Sequence, residues 1–233
     1  MKSHWVAWGN DMNVRRKITG QRIAIACELF ALAFFFQASQ TSAAVIYVKS
    51  DATGANTGAS WTNACADLQS ALAAVQPNDE IWVAAGTYKP TAGTDRTISF
   101  VMKPSVTIYG GFAGTESARD QRDWTKNESV LSGDIGVPGD SADNSIHVLI
   151  GAASAMLDGI TIANGNARGS GTSAGDQGGG MLNDSVAPVV ANCRFVANAA
   201  LNGGGGIYNR SALPVIVGCV FANNVSDDVA GGV

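Results

Sequence analysis

The 233-residue sequence predicts an all-β fold: a right-handed parallel β-helix, a solenoid closed at its N-terminal end by a cap that holds one short α-helix. Three observations predict it. Segments between residues 157 and 233 recur at an offset of 26 residues. Within each recurrence the apolar residues alternate, the period of a strand. Twenty-eight glycines and only 15% charged residues suit short strands and tight turns better than packed helices.

The chain opens with a segment that reads as export machinery. Arg15, Arg16, Lys17 and Arg22 precede the apolar run 23–36, and a polar stretch leads to Ala43-Ala44, the order of a secretory signal peptide. At 14 residues with Glu28 inside it, the run is short of the roughly 20 that span a bilayer. Residues 1–44 are therefore expected to be a leader cleaved near Ala44, with Met12 a second possible start. Without them ten basic and seventeen acidic side chains remain, a net charge near −7. Nucleic acid, whose phosphates call for a basic face, is not an expected partner. Three cysteines remain as well, Cys65, Cys193 and Cys219, and an odd number is no disulfide framework.

Residues 45–100 read as the cap and first strands. Val45-Ile46-Tyr47-Val48 is a β-branched run followed by a Gly/Asn/Ser-rich loop. Over 62–75, Ala66, Leu68, Leu72 and Val75 fall at roughly helical spacing, and Gln76-Pro77-Asn78-Asp79 ends the pattern, so one amphipathic helix is expected there to shield the first rung. Strands follow at 80–86, 97–102, 105–109, 129–131 and 146–150. The segment 118–126 reads as a charged loop, either a binding loop with an aromatic platform or a solvated excursion covering the helix end. One helix followed by many strands is not a βαβ pattern.

The β-helix is assigned to 101–233. Gly178-Gly179-Gly180-Met181-Leu182-Asn183 returns as Gly204-Gly205-Gly206-Ile207-Tyr208-Asn209, Pro188-Val189-Val190 as Pro214-Val215-Ile216, and Cys193-Arg194-Phe195 with Asn198 as Cys219-Val220-Phe221 with Asn224. Gly231-Gly232-Val233 begins another copy, so the chain stops inside a repeat and reads as truncated, without a C-terminal cap or anchor. An earlier copy, Leu157-Asp158-Gly159-Ile160-Thr161-Ile162, stands 33 residues ahead of its successor, which places about seven extra residues in the loop 167–177. A period near 26 is too short for helix pairs or propeller blades, which need about 33 or more.

One turn of a parallel β-helix stacks each residue on its equivalent one rung away, about 4.8 Å apart. Cys193 over Cys219 and Phe195 over Phe221 are expected as inward ladders. Asn198 over Asn224 and Asn183 over Asn209 are expected at turns, where Asn accepts left-handed dihedrals and stacked amides hydrogen-bond along the axis. The stacked cysteines have Cα atoms close enough for a disulfide, but in-register side chains point in parallel, which favours two buried thiols.

The segments Tyr47-Val48-Lys49, Ser60-Trp61-Thr62-Asn63-Ala64, Asp67-Leu68-Gln69, Asp79-Glu80-Ile81-Trp82-Val83-Ala84-Ala85-Gly86-Thr87-Tyr88, Tyr109-Gly110-Gly111-Phe112 and Leu131-Ser132-Gly133-Asp134 resemble the N-terminal region of secreted bacterial right-handed parallel β-helix proteins. Phe195-Val196-Ala197-Asn198 and Phe221-Ala222-Asn223-Asn224, with the Gly-Gly-Gly-Ile motif, resemble the repeats of polymorphic outer membrane proteins. The resemblance covers 45–233. It implies a secreted or cell-surface protein, adhesin-like or structural, whose partner is a surface glycan or protein and whose mature chain has no transmembrane helix.

An enzyme of this fold is the alternative, a polysaccharide lyase or glycoside hydrolase. A lyase needs clustered carboxylates for Ca²⁺ and a basic residue, a hydrolase facing carboxylates. The candidates are Asp134, Asp140, Asp143, Asp158 and Asp176 with Arg194, but they do not recur at one strand position, and Asp134 and Asp158 read as turn residues. No cofactor is expected outside this alternative, where Ca²⁺ would enter. His147, the sole histidine after the leader, supports no His-based metal site or triad and reads as structural. The glycines 203–206 lack the Lys-Ser/Thr of a phosphate loop.

Overall fold

The computed structural model describes residues 43–169, 175–228 and 231–232. The leader assigned to 1–44 thus lies outside the described residues up to position 42. Strand β1 (Val45–Val48) and helix α1 (Leu68–Ala74) come first. The coil then runs through β2 (Glu80–Ala84), β3 (Gly86–Tyr88) and β4 (Phe100–Val101), and next through β5 (Thr107–Phe112), β6 (Ser129–Ser132) and β7 (Leu149–Ile150). The third rung is β8 (Met156–Asp158), β9 (Ile160–Ala163), β10 (Asn166–Ala167) and β11 (Met181–Asp184). The fourth is β12 (Val189–Ala191), β13 (Arg194–Val196), β14 (Ala199–Ala200) and β15 (Ile207–Arg210), and β16 (Val215–Val217), β17 (Val220–Ala222) and β18 (Val225–Ser226) follow.

Every pairing between these strands is parallel and joins one rung to the next, giving sheets ordered β1-β2-β5-β8-β12-β16, β3-β6-β9-β13-β17, β4-β7-β11-β15 and β10-β14-β18. This is a parallel β-helix. Because side chains alternate across a strand, each sheet sends one register column inward. The first sheet contributes Ile46, Ile81, Ile108, Leu157, Val190 and Ile216, the second Tyr88, Leu131, Ile162, Phe195 and Phe221, the third Phe100, Leu149, Met181 and Ile207. All but Ile46, Ile216 and Phe221 are buried, and the three columns form one core.

The repeat offsets read from the sequence are the strand registers. Met181 pairs with Ile207, Val189 with Val215 and Phe195 with Phe221. Between the third and fourth rungs the offset is 33 at Asn166↔Ala199 but 26 at Met181↔Ile207, so the seven extra residues lie between β10 and β11. Within the segment 45–100 expected to hold the cap and first strands, Ile46 heads the first inward column, and Tyr88 and Phe100 head the second and third.

The helix is shorter than its hydrophobic pattern predicted. It starts at Leu68 because Asp67 accepts the Ser70 N–H at 2.7 Å as N-cap, while Cys65 bridges to Val48 as a continuation of the sheet. Its buried face is Leu68, Ala71 and Leu72, with Val75 just beyond; Ala66 lies outside the helix and is exposed. These residues close the end of the core beside Val48 and Val83, where β1 extends only the first sheet. At the other end β16, β17 and β18 are the outer members of their sheets, with Val215, Val217, Val220 and Val225 exposed.

The asparagine ladders divide. Asn198 and Asn224 occupy bends between strands, and Asn198 is fully buried with every side-chain function used: Nδ2 donates to Ile162 O and Asn224 Oδ1, each at 3.0 Å, and Oδ1 accepts from Gly165 N at 2.9 Å. Asn183 and Asn209 do not sit at turns. They lie within β11 and β15, where an extended backbone lets Asn183 Nδ2 donate to Asn209 Oδ1 at 2.8 Å. None of the four has a left-handed dihedral; Ala197 and Asn223, one residue before Asn198 and Asn224, do. The amide that bonds along the axis and the residue that reverses the chain are neighbours, not the same residue.

Candidate functional site

The outward column of the first sheet carries the densest chemistry in the described chain. Tyr47, Trp82, Tyr109 and Asp158 are successive register partners. Trp82 stacks on Phe112 with ring centroids 4.7 Å apart and planes 9° apart, and Tyr47 and Trp61 pack edge-on around them. Phe112 reaches this face because the register slips between Trp82 and Ala84, a bulge made where Gly110-Gly111 occupies β5 and Gly111 takes φ 94°.

The loop 113–128 lies directly on this face. Glycine makes that approach possible: a Cβ on Gly111 would stand 2.6 Å from Trp124 N, and one on Gly159 2.8 Å from Arg122 Nη1. Asp123 N donates to Gly111 O at 2.8 Å. At its start the Glu116 carboxylate accepts the N–H groups of Ala113, Gly114 and Thr115, and its carbonyl accepts from Trp61 Nε1. The loop does not cover the helix end. It is bound to the outer face of the coil, where Arg119 and Arg122 have aromatic and carboxylate partners, while Lys126 pairs with Asp123 within the loop.

Arg122 is the centre of that attachment. Its Nη2 is 2.8 Å from Asp158 Oδ2, both side chains being 9% exposed, and Nη1 donates to Gly110 O and Asp158 O. The guanidinium lies 4.9 Å from the Tyr109 ring centroid and 4.7 Å from that of Trp124. Asn192 Nδ2 donates to the other oxygen of Asp158 at 2.9 Å. Asp158 thus ends a strand, paired and buried, where a turn residue was expected. Arg119 bonds Glu80 Oε1 at 2.8 Å and Tyr109 Oη at 3.0 Å, and Glu80 Oε2 accepts from Trp82 Nε1 at 2.7 Å. Burial pushes the Tyr109 phenol upward, partly offset by Arg119. Of the aromatic and arginine side chains packed here, Arg119, half exposed, and Trp124, 38% exposed, are the most open to solvent.

The other candidate residues are not brought together. Asp134, Asp140 and Asp143 lie in the loop between β6 and β7, where they accept backbone N–H groups of Gly139, Ala142 and Val137. That loop is tied down by Arg96, whose guanidinium donates to Asn144 O, Asn166 O and Arg168 O. Asp176 is buried between β10 and β11, and Arg194 is exposed on the second sheet, in register with Thr161 and Val220. Among the described residues no group of three or more His, Cys, Asp or Glu is disposed to hold a metal ion. His147 is partly buried, its Nδ1 2.9 Å from Gly178 O, and burial lowers its pKa. No helix among the described residues is long and apolar enough to cross a membrane.

The cysteines Cys65, Cys193 and Cys219 are free thiols. Cys193 and Phe195 are fully buried, and Phe195 stacks on Phe221 at 5.0 Å with planes 9° apart.

With a parallel coil, a capping helix and the Gly-Gly-Phe bulge established, comparison with known proteins is decisive at family level. The family model described as "Protein of unknown function (DUF1565)" matches residues 52–231, from the loop after β1 to the start of the last repeat. The chain belongs to this family. DUF1565 is associated with parallel β-helix proteins, in agreement with the strand registers. No curated protein and no solved structure matches the chain. The DUF1565 match spans the outward face described above from Trp61 to Asn192, Tyr47 lying before it.

The pairing of Arg122 with Asp158 had no signature in the repeat, because the loop bearing Arg122 occurs once. The signal that pointed to it was indirect: glycines at 110, 111 and 159, where a strand would otherwise carry side chains, opposite a loop rich in Arg and Trp.

Proposed function

We propose that this protein is an exported cell-surface scaffold, adhesin-like, whose coil holds a binding face for a surface glycan. The carrying observation is the outer face of the first sheet, where Arg119 and Trp124 are presented to solvent from a loop anchored by the buried Arg122–Asp158 pair. An indole offers an apolar plane to a sugar ring and a guanidinium offers donors to its oxygens, while the anchoring limits the ordering cost on binding. The dispersal of Asp134, Asp140, Asp143, Asp158 and Asp176 into separate structural roles favours binding over glycan cleavage. Resemblance to polymorphic outer membrane repeats agrees with a surface location.

A glycan array probed with the full chain tests the reading. Trp124→Ala and Arg119→Ala are each expected to weaken binding of any retained glycan at least about tenfold, roughly 1.4 kcal/mol, with the unfolding midpoint of Arg119→Ala nearly unchanged. Retention unaffected by both substitutions would place binding elsewhere. Shortened products from pectin-like glycans, with or without Ca²⁺, would replace the scaffold reading with the enzymatic one.

Export carries its own test. Ala44 N donates to Asp79 Oδ1 at 2.8 Å and Ala44 O accepts from Glu80 N, so the sheet's first hydrogen bonds coincide with the expected cleavage position. Cleavage between Ala43 and Ala44 would set the new ammonium against the Asp79 carboxylate. N-terminal sequencing of secreted protein should begin within a residue or two of Ala44; a chain that keeps Met1 or Met12 outside the cell would exclude leader cleavage.

A further inference from the structure

We infer that Cys193 and Cys219 form a modification site, a cross-rung dithiol that a peroxide converts reversibly to a disulfide fastening β17 to β13. The register Arg194↔Val220 sets Cys193 directly opposite Cys219, and Val220 N donates to Cys193 O at 2.9 Å. Neighbouring parallel strands lie about 4.8 Å apart, within the Cα separation a disulfide spans. The two thiols are not equivalent. Cys193 is fully buried, its sulfur 3.1 Å from Ala191 O and 3.7 Å from Leu157 O. Cys219, directly before β17, is partly exposed, its sulfur 3.4 Å from Val190 O and 3.5 Å from Val217 O.

This asymmetry assigns the steps. The neighbouring Cys193 holds the Cys219 thiol below its ordinary range, against opposing effects of burial and of Asp158; burial drives Cys193 the other way. The accessible thiolate is therefore the nucleophile and the buried thiol the resolving group. Cys219 sulfur attacks one peroxide oxygen, the O–O bond breaks, hydroxide leaves, and a sulfenic acid forms. Cys193 sulfur then attacks Cys219 sulfur; the S–S bond forms, the S–O bond breaks, and the departing hydroxide takes the Cys193 proton as water. Two thiols and one peroxide give one disulfide and two waters. Closing the bond requires Cys219 to turn toward its neighbour.

The test treats the reduced full chain with hydrogen peroxide, blocks remaining thiols, and maps the cysteines by peptide mass spectrometry. Wild type and Cys65→Ser should yield the Cys193–Cys219 linked peptides, two hydrogens lighter and lost on reduction with dithiothreitol. Cys219 should react at least about tenfold faster than Cys65, which is buried and whose thiol burial pushes up, and the rate should be half-maximal below the ~8.5 of an ordinary thiol. Cys193→Ser should stop at a Cys219 sulfenic acid captured by dimedone. Full alkylation of both cysteines after peroxide, or overoxidation of wild-type Cys219 with no linked peptide, overturns the inference. If Cys193→Ser does not fold, the wild-type and Cys65→Ser maps decide it alone.

Discussion

Replacing Arg122 with alanine is expected to destabilise the protein by about 3–5 kcal/mol, the range for breaking a buried ion pair from one side. The substitution leaves Asp158 buried with Asn192 as its side-chain donor, removes the donors to Gly110 O and Asp158 O, and takes the cation from between Tyr109 and Trp124. Urea unfolding should show the loss as a lowered midpoint. Limited proteolysis should show it locally, as cleavage around Lys126, because the loop 113–128 is held to the sheet mainly at this point. Arg119→Ala is the contrasting case. Its ion pair with Glu80 is half exposed, so a loss of under about 1 kcal/mol is expected. Replacing Arg122 and Asp158 together by apolar residues should recover much of the single-substitution loss, since no unpaired charge then remains. Equal and small effects of Arg122→Ala and Arg119→Ala would mean that the loop is attached otherwise than described.

Phe195→Ala should have an effect of similar size, about 3–5 kcal/mol, by removing the largest fully buried side chain of its column. Phe195 lies between Ile162 on one rung and Phe221 on the next, so the cavity would open against two neighbours. Phe221→Ala should cost clearly less, because Phe221 is only partly buried at the outer strand. In a solenoid each rung is stabilised by its nearest neighbours, so location matters as well as size. Hydrogen exchange should register this difference. Phe195→Ala is expected to expose amides of β13 and β17 together, whereas Phe221→Ala should affect β17 and leave β13 protected. Equal protection losses from both substitutions would argue against rung-by-rung coupling.

The contrast between these residues parallels what residue order alone conveys. Phe195 and Phe221 share an offset, and the offset is the register, so their stacking follows once the period is recognised. The earlier rungs hide the same regularity: the offset is 27 at Ile81↔Ile108, 43 at Gly86↔Ser129 and 49 at Phe100↔Leu149, because unequal loops intervene between equally stacked strands. Their strands were legible as apolar runs, their common rung was not. For the helix, spacing located the buried stripe at Leu68 and Leu72 but not the start, which Asp67 sets by capping. For Asn183, repetition identified a partner but not a conformation, since an inward amide is as compatible with a strand as with a turn.

Arg122 and Asp158 mark the limit. They are 36 residues apart, Arg122 lies outside the repeat, Asp158 stands where the later copies have Ala191 and Val217, and nothing in their local sequence distinguishes a paired from a solvated charge. Their meeting depends on a bulge at Gly110-Gly111, on the absence of a side chain at Gly159 and on the path of a loop that occurs once. Residue order alone therefore specified the parallel coil, its inward ladders and its terminal helix, because stacking repeats the same short-range pattern at every rung. Only the folded chain decided which charges are paired, which aromatic side chains stay exposed and which thiol is left partly exposed, because those depend on surfaces that meet once.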